Sequence, residues 1–151
     1  MAGPVTASPR AARPQDLEPA RVLVGAAGLP LAGLDEHFAG FWALDGPDGS
    51  LAGVAGAERY GAAWLLRSLV VDPALRSRGH GRALLATVLA EARRRGVREV
   101  LLLTTDAQPF FAEHGFTELP RAAAPPALRA SAELSGACPE SATLMRLEVT
   151  P

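Results

Sequence analysis

Residues 70–82 read Val-Val-Asp-Pro-Ala-Leu-Arg-Ser-Arg-Gly-His-Gly-Arg, with Arg76, Arg78 and Arg82 set around Gly79 and Gly81. That grouping suits an anion. Hydrogen bonds to an ionised group contribute roughly 1.5–3 kcal/mol each, and glycine lets backbone N–H groups approach where a Cβ would hold the ligand off. The flanking residues must place these groups. Before them lies an apolar run over residues 64–71, interrupted by Arg67 and Ser68 and stopped by Asp72 and Pro73. After them, Ala83, Leu84, Leu85, Val88, Leu89 and Ala92 recur at helical spacing. The reading is buried strand, glycine-rich turn, helix N-terminus. Such a turn presents N–H groups without intrahelical partners at the positive end of the helix dipole, which favours a phosphate.

The spacing excludes two familiar phosphate binders. A nucleotide P-loop needs Gly-x-x-x-x-Gly-Lys-Ser/Thr, and the chain contains no lysine. A dinucleotide fingerprint needs a third small residue where this chain has Leu84. What fits is Arg-x-x-Gly-x-Gly, as Arg76, Gly79 and Gly81, preceded by Val-Asp-Pro. This resembles the acetyl-coenzyme-A motif of the GNAT superfamily of N-acetyltransferases. An ordinary basic strand-to-helix turn is the alternative reading.

The remaining elements follow from pattern and punctuation. Residues 1–4 are expected to be a flexible tail, with one domain over 5–151. Residues 5–12 read as a weak edge strand because of Pro9. Pro14 and Asp16 open a helix that runs to Gly28, while residues 34–38 are ambiguous between a helical turn and a loop. Strands are expected at 41–44 and 51–57, joined by a turn rich in Asp, Gly and Pro, and Gly61 marks the next turn. The helix after the glycine turn ends at Arg93-Arg94-Arg95-Gly96. Residues 100–103 form an uninterrupted apolar strand, which makes a parallel crossover. A short helix at 108–114, strands at 116–119 and 143–149, and an insert at 121–140 with a helix at 127–135 complete the reading. The fold class is α/β with a mixed sheet.

Bulk properties narrow the partners. A formal net charge of −1 gives no general attraction to nucleic acid or to an anionic membrane. No stretch is apolar enough to span a bilayer. Cys138 is the only cysteine, so an internal disulfide or a thiolate cage is ruled out, which suits a reducing cytoplasm. No metal is implied.

The order of elements and the closing Phe110, Phe111, Gly115 and Phe116 extend the GNAT resemblance over nearly the whole chain. The runs at 58–61, 65–69 and 124–145, with Ala137-Cys138-Pro139 and Ser141-Ala142-Thr143, are most similar to the second subgroup of arsenic-resistance N-acetyltransferases. The resemblance implies acetyl-CoA as cofactor. Arg76, Ser77, Arg78, Gly79, His80, Gly81 and Arg82 would hold its pyrophosphate. Leu69, Val70 and Val71 would meet the pantetheine arm, and Thr104, Thr105 and Phe110 would border the thioester end. Many relatives place a glutamate base six residues before the valine of the Val-x-Pro turn and a tyrosine at the position of Phe111. Here the former position is Leu65, so both usual catalytic side chains are absent.

An amine of pKa about 9–10 is only ~0.1–1% neutral at pH 7, a deficit of roughly 3–4 kcal/mol on attack. Glu58 is the first candidate for the proton acceptor, with Glu36 and His37 second. A surface carboxylate or a partner for Arg59 is the other reading of Glu58. Arg59, Arg67 and Arg129 are candidates for an oxyanion of the acceptor, or else structural salt bridges. The expected activity is acetyl transfer to a small primary amine by a monomer or homodimer. The acceptor is an amino-acid-like organoarsenical or an ordinary amino acid such as glutamate. A non-catalytic acyl-CoA-binding module is the rival.

Overall fold

A computed structural model describes residues 8–150 of the 151-residue chain. The tail expected at 1–4 and the start of the first expected strand lie outside the described residues. Seven strands form one mixed sheet in the order β1-β2-β3-β4-β5-β7-β6. They are β1 (Arg10–Ala11), β2 (Phe41–Asp45), β3 (Leu51–Tyr60), β4 (Ala63–Val71), β5 (Glu99–Thr104), β6 (Thr117–Glu118) and β7 (Thr143–Glu148). Every pairing is antiparallel except β4 with β5. The helices are α1 (Leu17–Ala26), α2 (Leu34–His37), α3 (His80–Arg94) and α4 (Gln108–Glu113).

Burial on both sides explains the near-continuous apolar strands. One face packs Trp42, Ala55, Trp64 and Leu66 against Leu84, Leu85 and Val88 of α3. The other packs Phe41, Ala43, Val54 and Val70 against Ala20 and Val24 of α1. Phe41 lies directly opposite Gly56 on β3, and a Cβ at that glycine would sit 2.1 Å from the Phe41 ring. Helix α3 ends as its sequence implies. Gly96 is left-handed (φ 73), and the N–H groups of Gly96 and Val97 donate to the carbonyls of Arg93 and Ala92, a Schellman motif.

Two features create an opening in the sheet. Strands β4 and β5 pair only where Ala63–Leu65 meets Glu99–Leu101, and beyond that they part. On its other side β4 carries a bulge between its pairing with Gly56 and with Val54, and Ser68 there is left-handed (φ 58). A bulge bends its strand and re-aims the following residues. Leu69, Val70 and Val71 thereby line the parted edge.

The insert departs from the expected helix at 127–135. It forms a 3-10 turn, Pro126–Ala130, and a π turn, Glu133–Ala137, separated by extended Ser131 (φ −69, ψ 135). Pro125 and Pro126 remove two backbone donors, and left-handed Gly136 (φ 126) breaks the second turn. The insert is held to the sheet by burial instead. Leu128 is fully buried with Ala124 against Leu65, Leu101 and Leu144. The strand expected at 116–119 is shorter, Thr117–Glu118. The residues after Pro14 begin as a 3-10 turn, Pro14–Asp16, before α1.

Candidate active site

The gap between β4 and β5 opens into a cleft of about 850 Å³. Twelve of the thirteen residues expected to hold the cofactor line it: Leu69, Val70, Val71, Arg76, Ser77, Gly79, His80, Gly81, Arg82, Thr104, Thr105 and Phe110. Arg78 is exposed on the same turn, outside the lining. The turn is built from two left-handed residues, Ser77 (φ 66) and Gly79 (φ 82), and Gly79 caps α3. The first backbone bond into the helix runs from Ala83 N to Gly79 O. The N–H groups of His80, Gly81 and Arg82 therefore precede the helical ladder, in the place an anion would use. A Cβ on Gly81 would reach 3.8 Å from Phe110 and 3.9 Å from Val71, so the glycine keeps this neck open.

The opposite wall comes from the end of β5 and from α4. Thr104 Oγ1 accepts from Ala107 N at 3.0 Å, which fixes the strand-to-helix turn. Phe110 packs edge-on to Phe111 at 5.1 Å and lies 4.7 Å from the His114 ring. Phe111 is itself buried against Phe116, so an apolar ring occupies the place of the usual phenol. Ala27, Gly28 and Leu29 close the cleft from the end of α1, and Asp106 joins it from the loop after β5. The sequence reading missed these four. Gly28 was visible only as a helix stop, and nothing local links it to β4.

The predicted acid–base and substrate residues separate into distinct places. Glu58 is fully buried and lies opposite Leu65 across the β3–β4 ladder. It is neither a surface carboxylate nor a partner of Arg59. Its Oε2 accepts from Arg67 Nη1 at 2.7 Å, and its Oε1 accepts from Tyr60 Oη at 2.5 Å. His37 Nε2 stands 3.6 Å from Oε1. Burial pushes the Glu58 carboxyl up, but hydrogen bonds from Tyr60, Ser131 and Arg67 outweigh it and hold it below its usual range. Burial and Glu58 together push the Tyr60 hydroxyl up to about 12. Glu58 and the half-buried His37 are outside the cleft lining, and so is exposed Glu36.

Arg67 is the hub of this cluster. Its side chain is fully buried, and its Nη1 and Nη2 also donate to the carbonyls of Ala32 (2.8 Å) and Pro30 (2.9 Å). Its Nε donates to Ser68 Oγ at 3.1 Å, beside the bulge, and lies 3.5 Å from Glu133 Oε2 of the insert. Arg67 thus reaches the cleft wall through its backbone, while its guanidinium ties the loop after α1 to β4. The other two arginines are elsewhere. Arg59 lies on the opposite face of β3, stacked 4.9 Å from the Trp64 ring and 5.9 Å from Trp42. Arg129 is exposed on the insert, and neither lines the cleft.

Glu133, a further buried carboxylate besides Asp16 and Glu58, lies in the helix expected at 127–135 and is not among the candidate residues read from the sequence. Burial pushes it up to about 7, against the pull of Arg67 and with the push of Glu58. Cys138, hydrogen-bonded to Glu133, is pushed up to about 12 by burial and by that carboxylate, so its thiol stays protonated.

The Acetyltransferase (GNAT) domain family matches residues 37–118, from α2 through β6. The chain belongs to the GNAT acetyltransferase family. Over 84 residues it is 37% identical to an amino-acid acetyltransferase of Mycobacterium tuberculosis, a match covering 52% of this chain and 47% of that protein. Among solved structures it is similar to the N-acetylglutamate synthase of Neisseria gonorrhoeae complexed with coenzyme A and N-acetyl-glutamate. That likeness has a TM-score of 0.82 at 24% identity and covers 96% of this chain and 35% of the synthase chain. It is also similar to a Mycobacterium tuberculosis protein in complex with CoA (TM-score 0.79, 24% identity, 94% and 99% covered). The ribosomal-protein-S18-alanine N-acetyltransferase of Escherichia coli gives a TM-score of 0.72 at 20% identity, with 97% and 96% covered. These structural likenesses are ones of fold. The chain spans about half the length of the curated relative and about a third of the synthase. No helix among the described residues is long and apolar enough to cross a membrane.

Proposed function

We propose that this chain transfers the acetyl group of acetyl-CoA to the amine of a small amino-acid-like acceptor. The parted strands carry the reading: an opening between β4 and β5 lined by a basic, glycine-rich helix N-terminus and by the loop after α1. The residues fit the cofactor. Gly79 and Gly81 leave room at the turn, the first N–H groups of α3 and the arginines Arg76, Arg78 and Arg82 suit a pyrophosphate, and the free edge of Leu69–Val71 suits an amide-bearing arm. When bound there, acetyl-CoA supplies the activated thioester. An acceptor entering beside Ala27, Gly28 and Leu29 would share the cleft with the thioester.

The amine nitrogen forms the new bond to the acyl carbon, the carbon–sulfur bond breaks, and the nitrogen loses a proton. Glu58 is engaged by Arg67 and Tyr60, and Leu65 and Phe111 have no group that can accept or donate a proton. We assign proton acceptance, and protonation of the leaving sulfur, to water. Glu58 then serves the reaction by holding Arg67. The kinship with amino-acid acetyltransferases favours an amino-acid acceptor such as glutamate. The similarity of the segments around Glu58 and Cys138 to arsenic-resistance enzymes adds an amino acid bearing an arsenic oxyanion. The protonated, buried Cys138 is no thiolate ligand for trivalent arsenic.

The test is acetyl-CoA turnover over a panel containing L-glutamate, L-glutamine, an alkylamine and an amine-bearing organoarsenical. At saturating amine, kcat should rise about tenfold per pH unit up to the pKa of the bound amine, as water-mediated deprotonation requires. A plateau well below that pKa which disappears in Glu58→Gln would return the base to Glu58. Binding of acetyl-CoA without turnover of any amine would make the chain an acyl-CoA-binding module.

A further inference from the structure

Arg67 reaches three segments that are distant in sequence: Glu58 on β3, the carbonyls of Pro30 and Ala32 in the loop after α1, and Glu133 on the insert. That loop runs between left-handed Gly28 (φ 73) and Gly33 (φ 84), and its first residues wall the cleft. The packing there is tight, since a Cβ on Gly33 would come within 2.7 Å of Arg67 Nη1. Two carboxylates share one guanidinium in a site sealed from water. With both ionised, the one guanidinium can balance only one of them, and a buried surplus charge is poorly tolerated.

We propose that Arg67 is a positioning residue that pins the acceptor-side loop, and that protonation of Glu133 on the insert governs how firmly it does so. The inference rests on the reading of the cleft as an acceptor site. With Glu133 neutral, Arg67 and Glu58 balance and the loop stays seated. When Glu133 ionises, the surplus charge is relieved by letting water in past residues 28–33, and the acceptor wall loosens. The groups facing Glu133 are Arg67 from β4, Glu58 from β3 with Tyr60 and His37 behind it, and Cys138 from its own segment. Burial places the Glu133 transition near neutral pH. The insert thereby has a role at the acceptor wall without lining the cleft.

The probe is N-acetyl-L-glutamate, whose carboxylates stay ionised through the range and whose nitrogen does not titrate. Its Kd is measured by calorimetry on the full chain with CoA bound. One linked proton changes a Kd by at most tenfold per pH unit, and we expect about a fivefold weakening between about pH 6 and about pH 8. The Kd of CoA alone should stay flat over that range. Glu133→Gln should abolish the pH dependence. Should that variant fail to fold, Cys138→Ala removes a hydrogen bond that favours ionised Glu133 and should move the midpoint upward. A pH dependence unchanged in Glu133→Gln, or an unmoved midpoint in Cys138→Ala, overturns the inference while leaving the acceptor reading intact. Absence of N-acetyl-L-glutamate binding at every pH, with CoA still bound, overturns the inference and the glutamate form of the acceptor reading together.

Discussion

Replacing Arg67 with methionine tests whether the buried cluster holds the site together. The substitution keeps most of the aliphatic volume but strands Glu58, which is fully buried, and removes donors from the carbonyls of Pro30 and Ala32. Removing one partner of a buried ion pair costs about 3–5 kcal/mol, because the other charge stays desolvated. The lost hydrogen bonds to the part-buried carbonyls of Pro30 and Ala32 add to that cost. A domain of ordinary stability has about 5–15 kcal/mol in all, so the variant should lose a large fraction. The measurement is urea unfolding at about pH 6, where Glu133, pushed up to about 7, is mostly neutral and does not confuse the balance. Glu58→Gln alone should also destabilise, since its one oxygen accepts from Tyr60 or from Arg67 but not from both, although Arg67 keeps the carbonyls of Pro30 and Ala32. The double variant should then lie closer to wild type than Arg67→Met alone, with a coupling of about 1–3 kcal/mol. A loss below about 1 kcal/mol for Arg67→Met, or additivity within about 0.5 kcal/mol, would refute the picture of a sealed, mutually dependent pair.

Three further outcomes are expected. Gly81→Asp puts a carboxylate between Val71 and Phe110 at the anion-binding end of the cleft, and should abolish acetyl-CoA binding in calorimetry while circular dichroism stays native. Gly56→Ala drives a methyl into the Phe41 ring, and should cost about 1–3 kcal/mol in urea unfolding, as overpacking does. Glu133 is raised in the folded state from 4.5 to about 7, so between those values the native state binds the extra proton. Its stabilisation is complete below the unfolded pKa and is lost as pH rises through about 7, a fall of about 3 kcal/mol. Wild-type stability should show that fall and Glu133→Gln should not.

The glycine-rich end of the cleft was legible because it is local. Strand, turn and helix follow one another within residues 64–94, and glycine spacing with apolar periodicity fixes their order without long-range information. The helix expected at 127–135 failed for the converse reason. Residues 127–135 are rich in Ala, Leu, Arg and Glu, but nine residues are too short to hold a helix alone, and burial of Leu128 and Ser131 against the sheet selects broken turns instead. Arg129, expected to meet an oxyanion of the acceptor, is exposed on the insert and outside the cleft lining.

The acid–base cluster lies between these cases. A two-residue turn after Tyr60 pairs Tyr60 with Ala63 and therefore Glu58 with Leu65, which sets Glu58 diagonally beside Arg67 on one face of the hairpin. That much follows from strand parity and the turn at Gly61. What parity cannot supply is the third layer, because Pro30 and Ala32 are 37 and 35 residues from Arg67 and Glu133 comes from beyond β6. That layer decides the chemistry. A carboxylate on β3 beside the position of Leu65 would be well placed to replace the missing base if it were free. Once Arg67 and Tyr60 occupy both of its oxygens and the insert seals it, the same carboxylate acquires a structural duty. On the proposals above, the amine then loses its proton to water, and the pH dependence of the cluster is expected in acceptor binding rather than in the chemical step.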